Sequence, residues 1–252
     1  MINMEAHREV VPTGVRRAVT SRVEDDDTLR IEWPEPDDGG IVLRHAETGE
    51  EHPGVELAGL AVGTWTVCKH GTPVVTDDPG FSLDGLAAYA ARPRSREVRA
   101  VRSAQGTLTV VVREVEPYVE VTRVGPEDGV IAVEGIIAYD EPAAGERPAG
   151  FTAVARRGPR VAGVGAVSGR HFSGTVPITP MAEGQRRQRV FWDLFAEVGG
   201  VRLELAARLD DVEGKKTRVR FPAQRAGQVR VRPYFTDTDS LAVACTIEEE
   251  NT

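Results

Sequence analysis

The sequence predicts an all-β protein built as two tandem immunoglobulin-like β-sandwiches, and three observations carry that expectation. Short runs of alternating apolar and polar residues recur along the chain, as strands half-buried in a sheet require. Gly 26 and Pro 16 among 252 residues punctuate those runs at turn spacing, where a helical bundle would need long amphipathic stretches. One ordered set of segments also occurs twice.

Residues 1–17 are polar, contain Pro12 and Gly14 and keep no period, which predicts an N-terminal arm. Leu29, Ile31 and Trp33 then alternate with Arg30 and Glu32 on a half-buried strand. A turn rich in Pro, Asp and Gly leads to a second strand at Ile41 to Arg44. Phe81, Leu83, Leu86 and Tyr89 keep helical spacing until Pro93, so one helical turn is expected there.

The repeat rests on three blocks in one order. Arg22 and Val23 return as Arg123 and Val124, GTWTVC around Trp65 returns as RVFWDLF around Trp192, and the valine run from Val98 returns from Val229. The growing offset predicts an insertion before Trp192 that includes RRGPRVAGVGAVSGRHFSG, read as an extra hairpin. These matches divide the chain into a first sandwich at 18–116 and a second at 117–252. Trp65 and Trp192 are expected in equivalent buried places.

No apolar run at the N-terminus has the length of a secretory signal, and none elsewhere reaches a bilayer span, so a cytoplasmic protein with no membrane span is expected. Cys68 and Cys245 stand alone in the sequence and read as free thiols on buried strand faces. His45, His52 and His70 lack ligand spacing and read as surface residues, leaving no expected metal or other cofactor. Ser168, His171 and Ser173 lie close in sequence without a Gly-x-Ser-x-Gly elbow, so a hairpin turn is expected there and no catalytic residue is assigned. The acidic pairs fall at strand ends as turn formers. Neither a phosphate-cradling glycine loop nor a basic stripe with interleaved aromatics is present, so no nucleic-acid partner is expected.

One stretch stands apart. Lys215, Lys216, Arg218, Arg220, Arg225, Arg230 and Arg232 crowd a short segment of a chain whose net charge is -8. On strands, Arg218 and Arg220 share a face, as do Arg230 and Arg232, and such rows grip phosphate or carboxylate. Lys215, Lys216, Arg218, Arg220, Arg230 and Arg232 are therefore the candidate ligand-binding residues. The competing reading is ion pairing with Asp210, Asp211, Asp237 and Asp239.

Around this stretch the chain resembles the tandem β-sandwich tail that follows the catalytic domain in actinobacterial wall-polymer glycosyltransferases and glycerophosphotransferases. The likeness lies in Asp210, Asp211 and Val212, in Lys215 and Lys216, in Pro222, Ala223 and Gln224, and in Arg232, Pro233, Tyr234, Phe235 and Thr236. It covers residues 118–248 and reaches the first copy only through the repeat. It implies a module for assembly or polymer contact. With no nucleotide-sugar domain ahead of the tail in this chain, the transferase activity is not carried over.

The expected function is thus a non-catalytic binding or assembly module associated with synthesis of a glycan or phosphate-containing polymer. Its expected partners are an anionic glycan or polymer and either a transferase or a second copy of the chain. The alternative is a biosynthetic enzyme working in a β-sandwich cleft. An open basic strand face favours the first reading and a closed pocket of convergent polar groups the second.

Overall fold

The computed structural model describes residues 16–36, 39–80, 83–156, 158–209 and 214–248. Most of the expected arm lies outside these residues, and Arg16 and Arg17 belong to the first strand. The chain divides into two compact units, Met1–Tyr89 with Ser95–Val115, and Ala90–Arg94 with Glu116–Thr252. Both are built mainly of strands, and no helix among the described residues is long and apolar enough to cross a membrane.

The first unit contains β1 (Arg16–Val23), β2 (Leu29–Glu32), β3 (Ile41–His45), β4 (Glu51–Pro53), β5 (Gly63–Lys69), β6 (Thr72–Gly80), α1 (Leu83–Ala90), β7 (Arg96–Arg102) and β8 (Leu108–Glu114). Its strands run β2-β1-β6-β5-β3-β4, with β8 on β5 and β7 on β8. Strand β5 serves two neighbours along one edge. Its start, Gly63–Thr66, pairs with β8, and its end, Cys68 and Lys69, pairs with β6. The alternation read from the sequence explains the core: Leu43, Trp65, Val67, Val98, Val110 and Val112 all point inward and are buried.

Polar groups are built into this core, each with partners. His45 is buried, not at the surface as its sequence neighbourhood suggested, because its ring organises the turn that follows it. Its Nδ1 accepts from the backbone N–H of Glu47 and of Thr48, each at 3.2 Å, which leaves Nε2–H to point at the Val62 carbonyl 3.4 Å away. The ring meets Trp65 edge-on at 4.9 Å, and Gly63 must lack a side chain, since a Cβ there would fall 2.2 Å from His45 Nε2. Glu97 is 1% exposed and is bound by Arg99 at 2.7 Å and by Arg113. The hydroxyl of Tyr89, at the end of α1, donates to Asp27 at 2.8 Å and accepts from the Val98 N–H at 3.1 Å.

The second unit contains β9 (Tyr118–Glu127), β10 (Val130–Ala138), β11 (Ala143–Ala155), β12 (Arg160–Gly169), β13 (His171–Pro177), α2 (Thr179–Ala182), β14 (Arg189–Val198), β15 (Val201–Ala206), α3 (Lys215–Arg218), β16 (Gln224–Ala226), β17 (Val229–Phe235) and β18 (Leu241–Ile247). Seven strands close on themselves in the order β11-β12-β13-β10-β9-β15-β14, because β14 also pairs with β11. This closed ring corrects the expected two-sheet immunoglobulin-like sandwich. The curvature comes from close backbone approaches that only glycine allows: a Cβ on Gly163 would sit 2.2 Å from the Thr175 carbonyl oxygen, and one on Gly135 2.5 Å from that of Glu120. Gly135 also lies at the register shift between β9 and β10.

The ring is filled by Val119, Ile131, Val133, Phe151, Phe172, Leu194 and Leu205. Its parallel seam between β9 and β15 is short, and Glu120 secures it: the carboxylate accepts from the N–H of Arg208 at 2.7 Å, the N–H of Leu209 at 3.1 Å and the Tyr118 hydroxyl at 3.0 Å. The inserted segment read as a hairpin forms β12 and β13.

The pairings of the first unit recur in the second. Strands β1 and β2 pair antiparallel, as do β9 and β10; β1 pairs parallel with β6, and β9 with β15. Trp65 lies between His45 on β3 and Val110 on β8, while Trp192 lies between Ala155 on β11 and Val243 on β18. Matching the strands through the tryptophans sets Val98 against Val231, two residues on from the sequence alignment with Val229. A shift of two keeps the same face inward, which is why alternation alone did not reveal it.

Candidate functional site

Strands β14, β18 and β17 lie side by side, and their register sorts side chains onto two faces. Trp192, Val243 and Pro233 form one row toward the core, and Val190, Cys245 and Val231 form the next. The outer face alternates with these. Its rows are Arg189, Thr246 and Arg230; Phe191, Ala244 and Arg232; and Asp193, Ala242 and Tyr234. Strand β16 extends the first row with Arg225, which pairs with Arg230.

The predicted sharing of a face by Arg230 and Arg232 thus holds, and the two belong to a wider surface. Arg225 and Arg230 share one carboxylate, Glu248, the second at 3.4 Å. Arg189 and Arg232 have no ion pair among the described residues. Phe191 lies between cationic and aromatic neighbours, with the Arg156 guanidinium 5.4 Å from its ring centre and Tyr234 edge-on at 5.9 Å. Arg156 donates to Asp193 Oδ1 from Nε at 3.1 Å and from Nη2 at 3.0 Å, which raises the arginine pKa and fixes the guanidinium beside the ring. Burial raises the Tyr234 pKa, with the positive charge of Arg156 opposing it.

The remaining predicted residues divide differently. Lys215, Lys216, Thr217 and Arg218 form the short helix α3, not a strand, so Arg218 and Arg220 do not share a face by alternation. Gly214 takes a left-handed φ of 67°, and the chain then closes helical hydrogen bonds from Arg218 to Gly214 and from Val219 to Lys215. Lys215 is 3% exposed with its ammonium 3.9 Å from Asp239, and Lys216 pairs with Asp237 at 2.7 Å. The ion-pair reading therefore fits the two lysines, while Arg218 and Arg220 are exposed without an ion pair among the described residues. Asp210 and Asp211 lie outside the described residues.

Beside the basic face opens a cleft of about 480 Å³. Met181, Val190, Phe191 and Trp192 give it an apolar floor, and Arg156, Arg186, Arg187 and Arg189 a cationic rim. Two glutamines hold the rim. Gln185 Nε2 donates to the carbonyls of Cys245, at 3.1 Å, and Arg187, at 2.8 Å; Gln188 Nε2 donates to the Ile247 carbonyl at 2.8 Å. The Ile247 N–H returns a bond to Gln188 at 3.0 Å. In Gln-Arg-Arg-Gln-Arg, the glutamines thus tie the loop to β18 while the arginines stay exposed. Neither the cleft nor this loop figured among the sequence expectations; the available signal was three arginines spaced by glutamines at the mouth of a strand.

No protein-family model matches the chain, and no curated protein matches it. Among solved structures it is similar to S. aureus TarS, at TM-score 0.41 and 10% identity over 66% of this chain and 33% of that one. A structure of S. aureus TarS residues 217–571 gives TM-score 0.39 and 10% identity over 65% of this chain and 50% of that one. The matched region is thus at most half of either solved chain.

A second cleft, of about 320 Å³, gathers Ser168, His171 and Ser173 with Glu134 and Glu146. Ser168 and His171 are a register pair closing the β12–β13 hairpin, with Ser173 farther along β13, and no hydrogen bond joins the three among the described residues. No group of three His, Cys, Asp or Glu among the described residues is arranged to hold a metal ion. Cys68 and Cys245 are free and buried, and burial pushes the Cys245 thiol up to about 11.

Proposed function

We propose that the chain is a non-catalytic binding module whose second unit takes a polyanionic chain on the outer face of β14, β18 and β17. The observation that carries this reading is the presence of Arg189 and Arg232 on one outer face, neither with an ion pair among the described residues, on a chain of net charge -8. The strands already fix the backbone that carries these guanidinium groups, so binding orders only their side chains, and guanidinium suits phosphate or carboxylate. The cleft beside the face adds to this reading, since four arginines and a single acid, Glu183, line it.

The polymer class proposed is a cytoplasmic glycan or phosphate-containing polymer in the course of synthesis, as the tail resemblance implies. A transferase or a second copy of the chain is the proposed protein partner. The shared pairing pattern supports reading 18–116 and 117–252 as copies of one β module.

The test is titration of the full chain with long-chain polyphosphate at low and high salt, followed by tryptophan fluorescence. Binding is expected to weaken steeply as salt rises, and the double substitution Arg189→Ala with Arg232→Ala is expected to weaken it by about tenfold or more at low salt. Absence of binding at low salt, or an unchanged affinity in the double variant, overturns the proposal.

A further inference from the structure

We infer that the cleft beneath the Gln185–Arg189 loop is a subsite for one anionic sugar unit, a hexose-sized ring bearing phosphate or carboxylate. This rests on the binding reading above and names the group that gives it selectivity. A flat row of arginines recognises charge density and little else. The cleft adds a bounded space, about 480 Å³, within the range of about 300–1,000 Å³ that small-molecule sites occupy.

Its two kinds of surface fit two parts of one ligand. Arg186, Arg187 and Arg189 are exposed on the rim without an ion pair among the described residues, which supplies cations for the anionic group. The open part of the floor is half-buried Val190 and Phe191, with Met181 and Trp192, each 2% exposed, closing it from behind, and this apolar surface is one that bare phosphate leaves wet and that the C–H face of a sugar ring covers. The rim is also held in place, because Gln185 and Gln188 fasten the loop to the Cys245 and Ile247 carbonyls of β18. Little ordering is therefore left for the ligand to impose. Arg189 lies both on the cleft rim and in the outer row with Arg230, so a chain on the face has a path for one of its units into the cleft.

The experiment uses the full chain with four probes: glucose 1-phosphate, neutral glucose, inorganic phosphate and long-chain polyphosphate. Glucose 1-phosphate is expected to bind about tenfold or more tighter than either inorganic phosphate or glucose. The double substitution Arg186→Ala with Arg187→Ala is expected to weaken it by about tenfold while weakening polyphosphate by less than about threefold. Both side chains are exposed, and an unchanged melting profile checks that the variant is folded. If polyphosphate binds but glucose 1-phosphate binds no better than inorganic phosphate, the subsite is overturned and the face stands. If the double variant loses both ligands equally, the cleft is merely part of the face and the inference also fails. If polyphosphate does not bind at all, it is the face reading that fails.

Discussion

Arg189 and Arg230 stand in one row across the sheet with Thr246 between them. At about 4.8 Å per strand their backbones are about 10 Å apart, close to the screening length of about 8 Å at physiological ionic strength. Arg230 has Glu248 as a partner, and Arg189 has none among the described residues. Replacing Arg189 with Ala should leave stability within about 0.5 kcal/mol, since only weak repulsion and an exposed stem are lost. Polyphosphate affinity should fall in the same variant. Urea denaturation and titration on one preparation separate the two effects, and a large stability loss would mark Arg189 as structural.

The buried carboxylate of Glu97 makes the opposite kind of prediction. Arg99 and Arg113 both bind it, so Glu97→Ala leaves two guanidinium groups facing a site they cannot fill. Removing one partner of a buried pair costs about 3–5 kcal/mol, and the solvent exposure of the arginines places this case at or below about 3 kcal/mol. Equilibrium unfolding should show the loss in the first unit, and ligand binding by the second unit should survive at temperatures where the variant is folded.

Cys245 sets a pH limit. Its thiol is raised from 9.0 to about 11 by burial, with the Trp192 indole opposing the shift. The folded chain therefore keeps a proton that the unfolded chain releases, and the associated stability is fully present below about pH 9 and is lost as pH climbs toward about 11. Cys245→Ala should flatten that fall in denaturation measurements at pH 8 through 10.5. Iodoacetamide at pH 8 should leave the folded thiol unmodified and label it once the chain is unfolded.

The glutamine clips predict a loss of order with little loss of fold. Gln185→Ala and Gln188→Ala together remove bonds to two backbone carbonyls of β18, Cys245 and Ile247, and one to the loop's own Arg187 carbonyl. Amide exchange should quicken across Gly184–Arg189 and at Ile247 while the ring strands keep their protection. Glucose 1-phosphate should bind several-fold more weakly, because ordering the loop becomes part of binding. Unchanged exchange in the loop would show that the glutamines do not hold it.

Period-two alternation made the outer row legible: Arg230 and Arg232 flank buried Val231, and the sequence alone put them on one face. The same rule misled at Arg218 and Arg220, where Gly214 at positive φ starts a helical turn that no apolar alternation announces. His45 was misplaced because its burial comes from accepting two backbone N–H groups of its own turn, a role that residue type does not disclose. Ring closure was out of reach because pairing of β11 with β14 is non-local and depends on glycines tolerating contact at particular points of the wall. The cleft escaped for a related reason, since its rim and floor meet only when the loop is fastened to a strand some sixty residues away.

Strand β14 belongs at once to the ring and to the outer sheet, and this has a consequence for the nascent chain. The ring partners of β14, on β11 and β15, are all synthesised by Ala206, so the wall has its strands some 35 residues before β18 begins. Along the opening half of β14, Arg189–Asp193, the second edge pairs only with β18, which is translated after β11, β14 and β15. Until Leu241–Ile247 leaves the ribosome, Val190, Phe191 and Trp192 sit on an open edge able to pair with another growing chain. The arginines just upstream, Arg186, Arg187 and Arg189, put like charges at that edge and would hold neighbouring copies apart on a polysome during the interval.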